Sequence, residues 1–318
     1  MKPVIGLRVD AGPRIGHGHA HRSLALAHAL EALQVRVEVL TTTPDTLHAI
    51  FGANARSLAA GSDPFEHVKL SPDVIVIDTP RATRPAQLGA ARRAWPKTPI
   101  VLIGGESHAD PKADLIIHQE LTGAASPAVL SGPDYLLVKP GFTALPVRQT
   151  RAAPNHALIC LGGGRQDRLA DVLASIDDAM RAARPPLADL KISVFSTQAE
   201  SGATMSGRFA LRSGVTDLAS AMTGADLAIL AGGGLVIEAA AAGLPALYLP
   251  VADHQNARID TAEALGIGAR LGAEPGAELL GLAADPGARE AMARNGQRLV
   301  DGLGAKRCAK RIVQLVKA

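Results

Sequence analysis

Short apolar runs alternate with longer stretches of helical period along the chain. Residues 4–9 are the first such run and read as a buried strand. A glycine-rich turn spans 12–18, and Leu24, Leu26, Ala27, Leu30 and Leu33 then recur at helical spacing. Further strands are expected at 35–40, 73–78, 100–103 and 114–117, with helical stretches between them. Strands that alternate with helices in this way build a parallel sheet covered on both faces. Residues 139–155 break the pattern with three prolines and scattered charge, and read as a linker. A second series follows: a strand at 156–161, the Gly162-Gly163-Gly164 turn, a helix over 168–183, and strands at 192–195 and 226–230. The Gly232-Gly233-Gly234 turn then opens a helix that runs through Ala242, where Gly243 and Pro245 stop it. A strand at 246–251 and a mostly helical tail over 286–318 complete the chain. Both halves begin strand, glycine turn, helix. The expected architecture is therefore α/β, with one Rossmann-like domain at 1–146 and a second at 147–318, the last helix being free to pack back on the first.

A length of 318 residues suits two domains, and 47% hydrophobic with 20% charged residues is a globular composition. Aromatics are only 3%, which argues against stacking platforms for single-stranded nucleic acid. The net charge of +3 comes with no basic block, so a small anionic substrate is expected and nucleic acid is not. The two cysteines, Cys160 and Cys308, form no Cys-x-x-Cys pair, and Cys160 reads as a small core residue. Arg8 and Asp10 interrupt the first apolar run, and no run of about 18 apolar residues occurs, so no integral membrane segment is expected and the cytoplasm is the expected location. Oligomeric state is not legible.

Glycine-rich turns between strand and helix can offer backbone N–H groups and a helix N-terminus to an anion. None here is a clean G-x-G-x-x-G, so no dinucleotide is expected. Glu238 follows Gly234 by about one helical turn. It suits either a ribose whose diphosphate rests on Gly232, Gly233 and Gly234, or simple charge compensation at the helix start. The first turn reads Gly16-His17-Gly18-His19-Ala20-His21-Arg22. His19, at a helix start, is a candidate general base. Arg22 shares its face and could bind phosphate. Asp10 could orient an imidazole or cap the turn, and His17 is a candidate for a supporting place. The alternating histidines also admit a metal reading, but residues two apart do not face each other on a helix and no carboxylate cluster completes a site. The chain contains no Asp-x-Asp, which suits a metal-free site in which helix dipoles stabilise a departing diphosphate.

Arg8-Val9-Asp10, then Ile15 through Ala27 with Gly16, Gly18, His19 and Arg22, resembles the N-terminus of the UDP-sugar hydrolases of pseudaminic acid synthesis. A second match runs from Ala225 through Gly232-Gly233-Gly234, Glu238 and Gly243-Leu244-Pro245 to Ala252-Asp253-His254-Gln255; it is similar to the uridine diphosphate region of that family and of its glycosyltransferase relatives. The turn with Gly163 and Gly164 fits more loosely. The resemblance implies a GT-B fold, two Rossmann-like domains in tandem with a cleft between them, and UDP as the substrate nucleotide with no cofactor and no metal. It implies that His19 is catalytic, that Glu238 holds ribose, that Gly232–Gly234 hold the diphosphate, and that Gln255, beside Asp253 and His254, contacts substrate. The chain departs from the family at Thr79-Pro80-Arg81, where relatives carry a tyrosine, at Gly104-Gly105, where they often carry an acidic pair, and at His254, where they have asparagine. The expected reaction is hydrolysis of a UDP-sugar by water attack with inversion. The alternatives are an inverting glycosyltransferase using the same donor and a binding protein without turnover.

Overall fold

The computed structural model describes residues 2–12, 15–52, 55–57, 65, 68–104, 112–162, 168–196, 209–213 and 218–316. The chain divides into two compact units, Met1–Pro140 with Gly302–Ala318, and Gly141–Asp301. In the first unit, β1 (Val4–Val9), β2 (Arg36–Thr41), β3 (Ala55–Ser57), β4 (Val74–Asp78), β5 (Ile100–Ile103), β6 (Leu115–Ile117) and β7 (Val129–Leu130) form one sheet in the order 3-2-1-4-5-6-7. Every pairing is parallel. The strands read as unbroken apolar runs because both faces are covered. Ile5, Leu7, Val9, Val74 and Val76 face α1 (Gly18–Glu31), α2 (Pro44–Phe51) and the C-terminal helix Gly304–Val316. Residues of opposite parity, among them Ile75, Ile77 and Leu102, face α3 (Arg84–Ala94).

The second unit repeats the plan. Its strands β8 (His156–Cys160), β9 (Lys191–Ser196), β10 (Phe209–Ser213), β11 (Leu227–Ala231), β12 (Ala246–Leu249) and β13 (Ala269–Arg270) form a parallel sheet in the order 10-9-8-11-12-13. The helices are α4 (Leu169–Ala182), α5 (Leu218–Gly224), α6 (Leu235–Ala242), α7 (Asn256–Ala264), α8 (Pro275–Ala284) and α9 (Pro286–Leu299). The C-terminal helix, α10, belongs to the first unit, where Cys308, Ala309 and Ile312 enter the core. Both sheets have the doubly wound order, whose direction reverses at β1/β4 and at β8/β11; ligands of such sheets bind beyond the carboxyl ends at that reversal. Gly243 ends α6 in the left-handed conformation (φ 60°), with the Leu244 amide returning to the Ala239 carbonyl at 2.8 Å. No described helix is long and apolar enough to cross a membrane.

The proline-rich segment 139–155 has one 3-10 turn, Pro140–Phe142, and is otherwise irregular, but side chains pin it to the second unit. Arg148 donates to the carbonyls of Ala225 (2.6 Å), Met222 (2.7 Å) and Ala242 (3.0 Å), which end α5 and α6 and have no partner within their helices. Asp226, just ahead of β11, accepts from Arg151 and from the amides of Asn155 and His156. Arg289, fully buried, donates to the carbonyls of Arg151 and Ala152. Replacing Arg148 with Met removes three such bonds and should destabilise the second unit by about 2 kcal/mol. Urea unfolding followed by circular dichroism reads this as a lowered midpoint for one transition; an unchanged midpoint would show that the caps are dispensable.

Candidate active site

The loop after β1 is closed by its own backbone. The Gly16 amide donates to the Gly12 carbonyl at 2.7 Å, and the Gly12 amide returns to Gly16 at 3.3 Å. The chain then enters α1 at Gly18, which places His19, Arg22 and Ser23 on one face, three and four residues apart. Asp78, the last residue of β4, stands opposite and has no exposed surface.

All four acceptor positions of this carboxylate are filled. Oδ1 accepts from His19 Nδ1 at 2.6 Å and from Arg22 Nη2; Oδ2 accepts from Arg22 Nε at 2.7 Å and from Ser23 Oγ at 3.0 Å. Burial alone pushes the Asp78 carboxyl up, but the Arg22 guanidinium and its hydrogen bonds, helped by His19, outweigh this and hold it well below the usual carboxylate range. Burial likewise disfavours the Arg22 cation, and the Asp78 charge more than restores it. An ionised carboxylate can only accept, so His19 Nδ1 must carry hydrogen. The 3.0 Å approach of Arg22 Nη2 to Nδ1 is then two donors converging on one oxygen. In the neutral ring the lone pair is left on Nε2, where a general base needs it.

Asp10, expected as a possible partner for an imidazole, is committed elsewhere. Arg8 grips it with two 2.6 Å bonds, and Thr41 Oγ1 (2.9 Å) and the Thr42 amide (2.7 Å) complete its shell. Burial pushes this carboxyl up, and Arg8 with those donors brings it below its ordinary value. Asp10 thus ties the end of β1 to the end of β2, and the partner of His19 is Asp78, a residue read in the sequence only as a strand end. An acidic side chain closing the apolar run Val74-Ile75-Val76-Ile77 was the available signal. His17 is exposed, and its ring lies 6.5 Å from that of His21, with no bond to His19 among the described residues. Arg22, expected on phosphate, has Nε and Nη2 on Asp78. Gly16 has spent its amide on Gly12, and Gly18 lies exposed at the start of α1.

In the second unit the turn Gly232-Gly233-Gly234 joins β11 to α6. A Cβ on Gly232 would stand 2.5 Å from Ile259 Cδ1, so glycine lets α7 pack against the turn. A Cβ on Gly234 would meet nothing within 4 Å. The amides of Gly233, Gly234 and Leu235 have no acceptor among the described residues, so three consecutive donors open α6. Glu238 sits in the first turn of α6 and is buried. Gln255 is also buried; its Oε1 accepts from the Val251 amide at 3.0 Å, and its Nε2 lies beside Gly233. Asp253 and His254 are exposed in the short turn before α7. Gly105, Gly163 and Gly164 lie outside the described residues.

No protein-family model matches the sequence, and no curated protein sequence matches it. Solved structures share the fold. A glycotransferase of kitacinnamycin is similar with a TM-score of 0.72 and 17% identity, covering 99% of each chain. MurG of Acinetobacter baumannii is similar with a TM-score of 0.67 and 17% identity, covering 99% of this chain and all of the other. A UDP-GlcNAc 2-epimerase from Neisseria meningitidis, bound to UDP-GlcNAc, gives a TM-score of 0.65 at 14% identity, covering 99% of this chain and 100% of that one. The protein therefore shares with these structures the GT-B fold, two Rossmann-like units in tandem.

His21, one turn from His17, carries a measurable signature of this neighbourhood. Burial, then the charges of Lys139 and His17, pull its pKa from 6.5 down to about 4. The unfolded chain therefore takes up this proton first, so the stability tied to neutral His21 is complete above about pH 6.5 and is lost as pH falls toward 4. Denaturation midpoints between pH 7 and 4.5 should fall less steeply in His21→Gln than in the wild type; parallel slopes would mean His21 titrates normally.

Proposed function

We infer that the protein is a nucleotide-sugar enzyme that releases UDP from a UDP-linked sugar by attack of water at the anomeric carbon. The observation that carries this is the His19–Asp78 contact, a base with a fixed tautomer at the reversal point of a doubly wound sheet. His19 Nε2 takes a proton from water as the oxygen attacks. The transition state is oxocarbenium-like, and configuration inverts when the nucleophile enters opposite the leaving group. Asp78 holds the ring and stabilises the imidazolium as it forms, the part a buried carboxylate plays behind a catalytic histidine. UDP is a good leaving group and needs no carboxylic acid to protonate it. The amides of Gly233, Gly234 and Leu235 and the positive end of α6 supply donors for the diphosphate. Glu238 is assigned to the ribose. The motif resemblance to the UDP-sugar hydrolases of pseudaminic acid synthesis supports water as the acceptor. No cofactor enters this scheme.

A transferase reading uses the same residues with an acceptor hydroxyl in place of water, and one fold neighbour is named a glycotransferase. UDP release with no acceptor present separates the two. His19→Ala and Asp78→Asn should each lower kcat by about 10²-fold or more while binding of UDP persists. Steady-state release of UDP from a panel of UDP-sugars measures this. Full activity in His19→Ala, on a sugar the wild type turns over, would remove the base from the scheme.

A further inference from the structure

Every side-chain bond that Arg22 makes among the described residues goes to His19 or to its carboxylate. Nε and Nη2 donate to Asp78, and Nη2 stands 3.0 Å from His19 Nδ1. The charges of this cluster balance at rest: the Arg22 cation answers the buried Asp78 anion, and a neutral His19 adds nothing. Without Arg22 the carboxylate would be left facing the ring, and an opposite charge that close favours the imidazolium. Ser23 Oγ remains on Asp78 but is a neutral donor and cannot restore the balance. Other charged groups surround the cluster. Glu120, exposed beyond β6, bears on Arg22. From α3, Arg84 Nη2 comes as near to a Cβ built on Gly104 (3.4 Å) as Arg22 Nη2 does (3.5 Å). On α1, His17 is exposed, and burial, then Lys139 and His17, pull His21 down to about 4. None of their side chains bonds to His19 or Asp78 among the described residues.

We propose that Arg22 is a positioning residue that acts on His19 through Asp78: its cation cancels the buried carboxylate, so the ring rests neutral with Nε2 bare and ready to take a proton from water. A carboxylate alone behind the ring would fix the same tautomer but would also hold a second proton on it, and a protonated ring is no base. Arg22 thus separates the two effects of Asp78, keeping the orientation and cancelling much of the charge. The fork suits this task, because two nitrogens of one rigid group engage both carboxylate oxygens. The kinetic part of the inference rests on the hydrolytic reading above; the charge coupling does not.

The pH profile of UDP release, on a UDP-sugar that the wild type turns over, tests it in Arg22→Gln. The acid limb of kcat should move to higher pH by about one unit, with KM changed by no more than about twofold. Arg22→Lys keeps the charge and should bring the limb most of the way back. A ligand of the diphosphate would behave otherwise: KM would rise and the limb would stay, which overturns the proposal. Nitrogen-15 titration of the His19 ring in substrate-free protein reads the same displacement without turnover. There the double variant Arg22→Gln/Asp78→Asn, which strands no buried charge and so keeps the test open if Arg22→Gln alone folds poorly, should titrate within about half a unit of the wild type. An unmoved ring in Arg22→Gln, or a double variant displaced upward by the full unit, overturns the inference and leaves the hydrolytic reading standing. A displaced ring in a protein that releases no UDP supports the charge coupling and overturns only that reading.

Discussion

Taking a carboxylate out of water costs several kcal/mol unless neighbours return the lost interactions. Asp78 has no exposed surface, and its neighbours return all of them from two successive turns of one helix. Much of the first unit follows from that. Arg22 provides the charge that keeps Asp78 ionised. Ser23, also buried, fills the remaining lone pair. His19 is held by the one nitrogen that faces β4, so its other nitrogen is left for chemistry. The same bonds fix how α1 sits on the sheet, because sliding the helix by a residue would strip the carboxylate of its donors. Site geometry and helix packing are here a single constraint, and loss of any partner leaves a buried charge short of donors.

The second unit solves a complementary problem with backbone. At its reversal point the donors come from a turn whose residues have given up side chains, with the buried Glu238 one turn further along α6. Gly232 yields its space to Ile259, and Gln255 closes over Gly233 while tied to the Val251 amide. What remains is a row of undirected N–H groups at the positive end of α6, a surface that suits an anion and adds no charge of its own. Around it Arg148, Arg151 and Arg289 serve structure: each spends its donors on the carbonyls or the acid of neighbouring segments.

Both sheets were legible in the sequence because parallel strands covered on two faces become plain apolar runs. The edges were not. β3, β7 and β13 have two or three residues each, too few to carry a period, and β10 is defined by its neighbour β9. The glycine turns and His19 stood out because glycine and histidine are informative residue types at a strand-to-helix turn. Asp78 did not, since its bond to His19 spans 59 residues and no local pattern records a contact of that range. Asp10 was the nearer acid and drew attention for that reason, while Arg8, two residues back, had already claimed it. The same limit applied to segment 139–155: its prolines marked it as irregular, but the carbonyls that Arg148 caps lie on helices far along the chain.

The chemistry proposed for His19 depends on one tautomer of its ring. Nitrogen-15 correlation spectra of the histidine rings at neutral pH, with the His19 signals assigned by their loss in a His19→Gln spectrum, read directly which ring nitrogen carries hydrogen. A ring held by the Asp78 carboxylate carries hydrogen on Nδ1 in its neutral form and leaves Nε2 bare. A neutral His19 protonated on Nε2 would mean that Asp78 does not hold it, and the base assignment would fall.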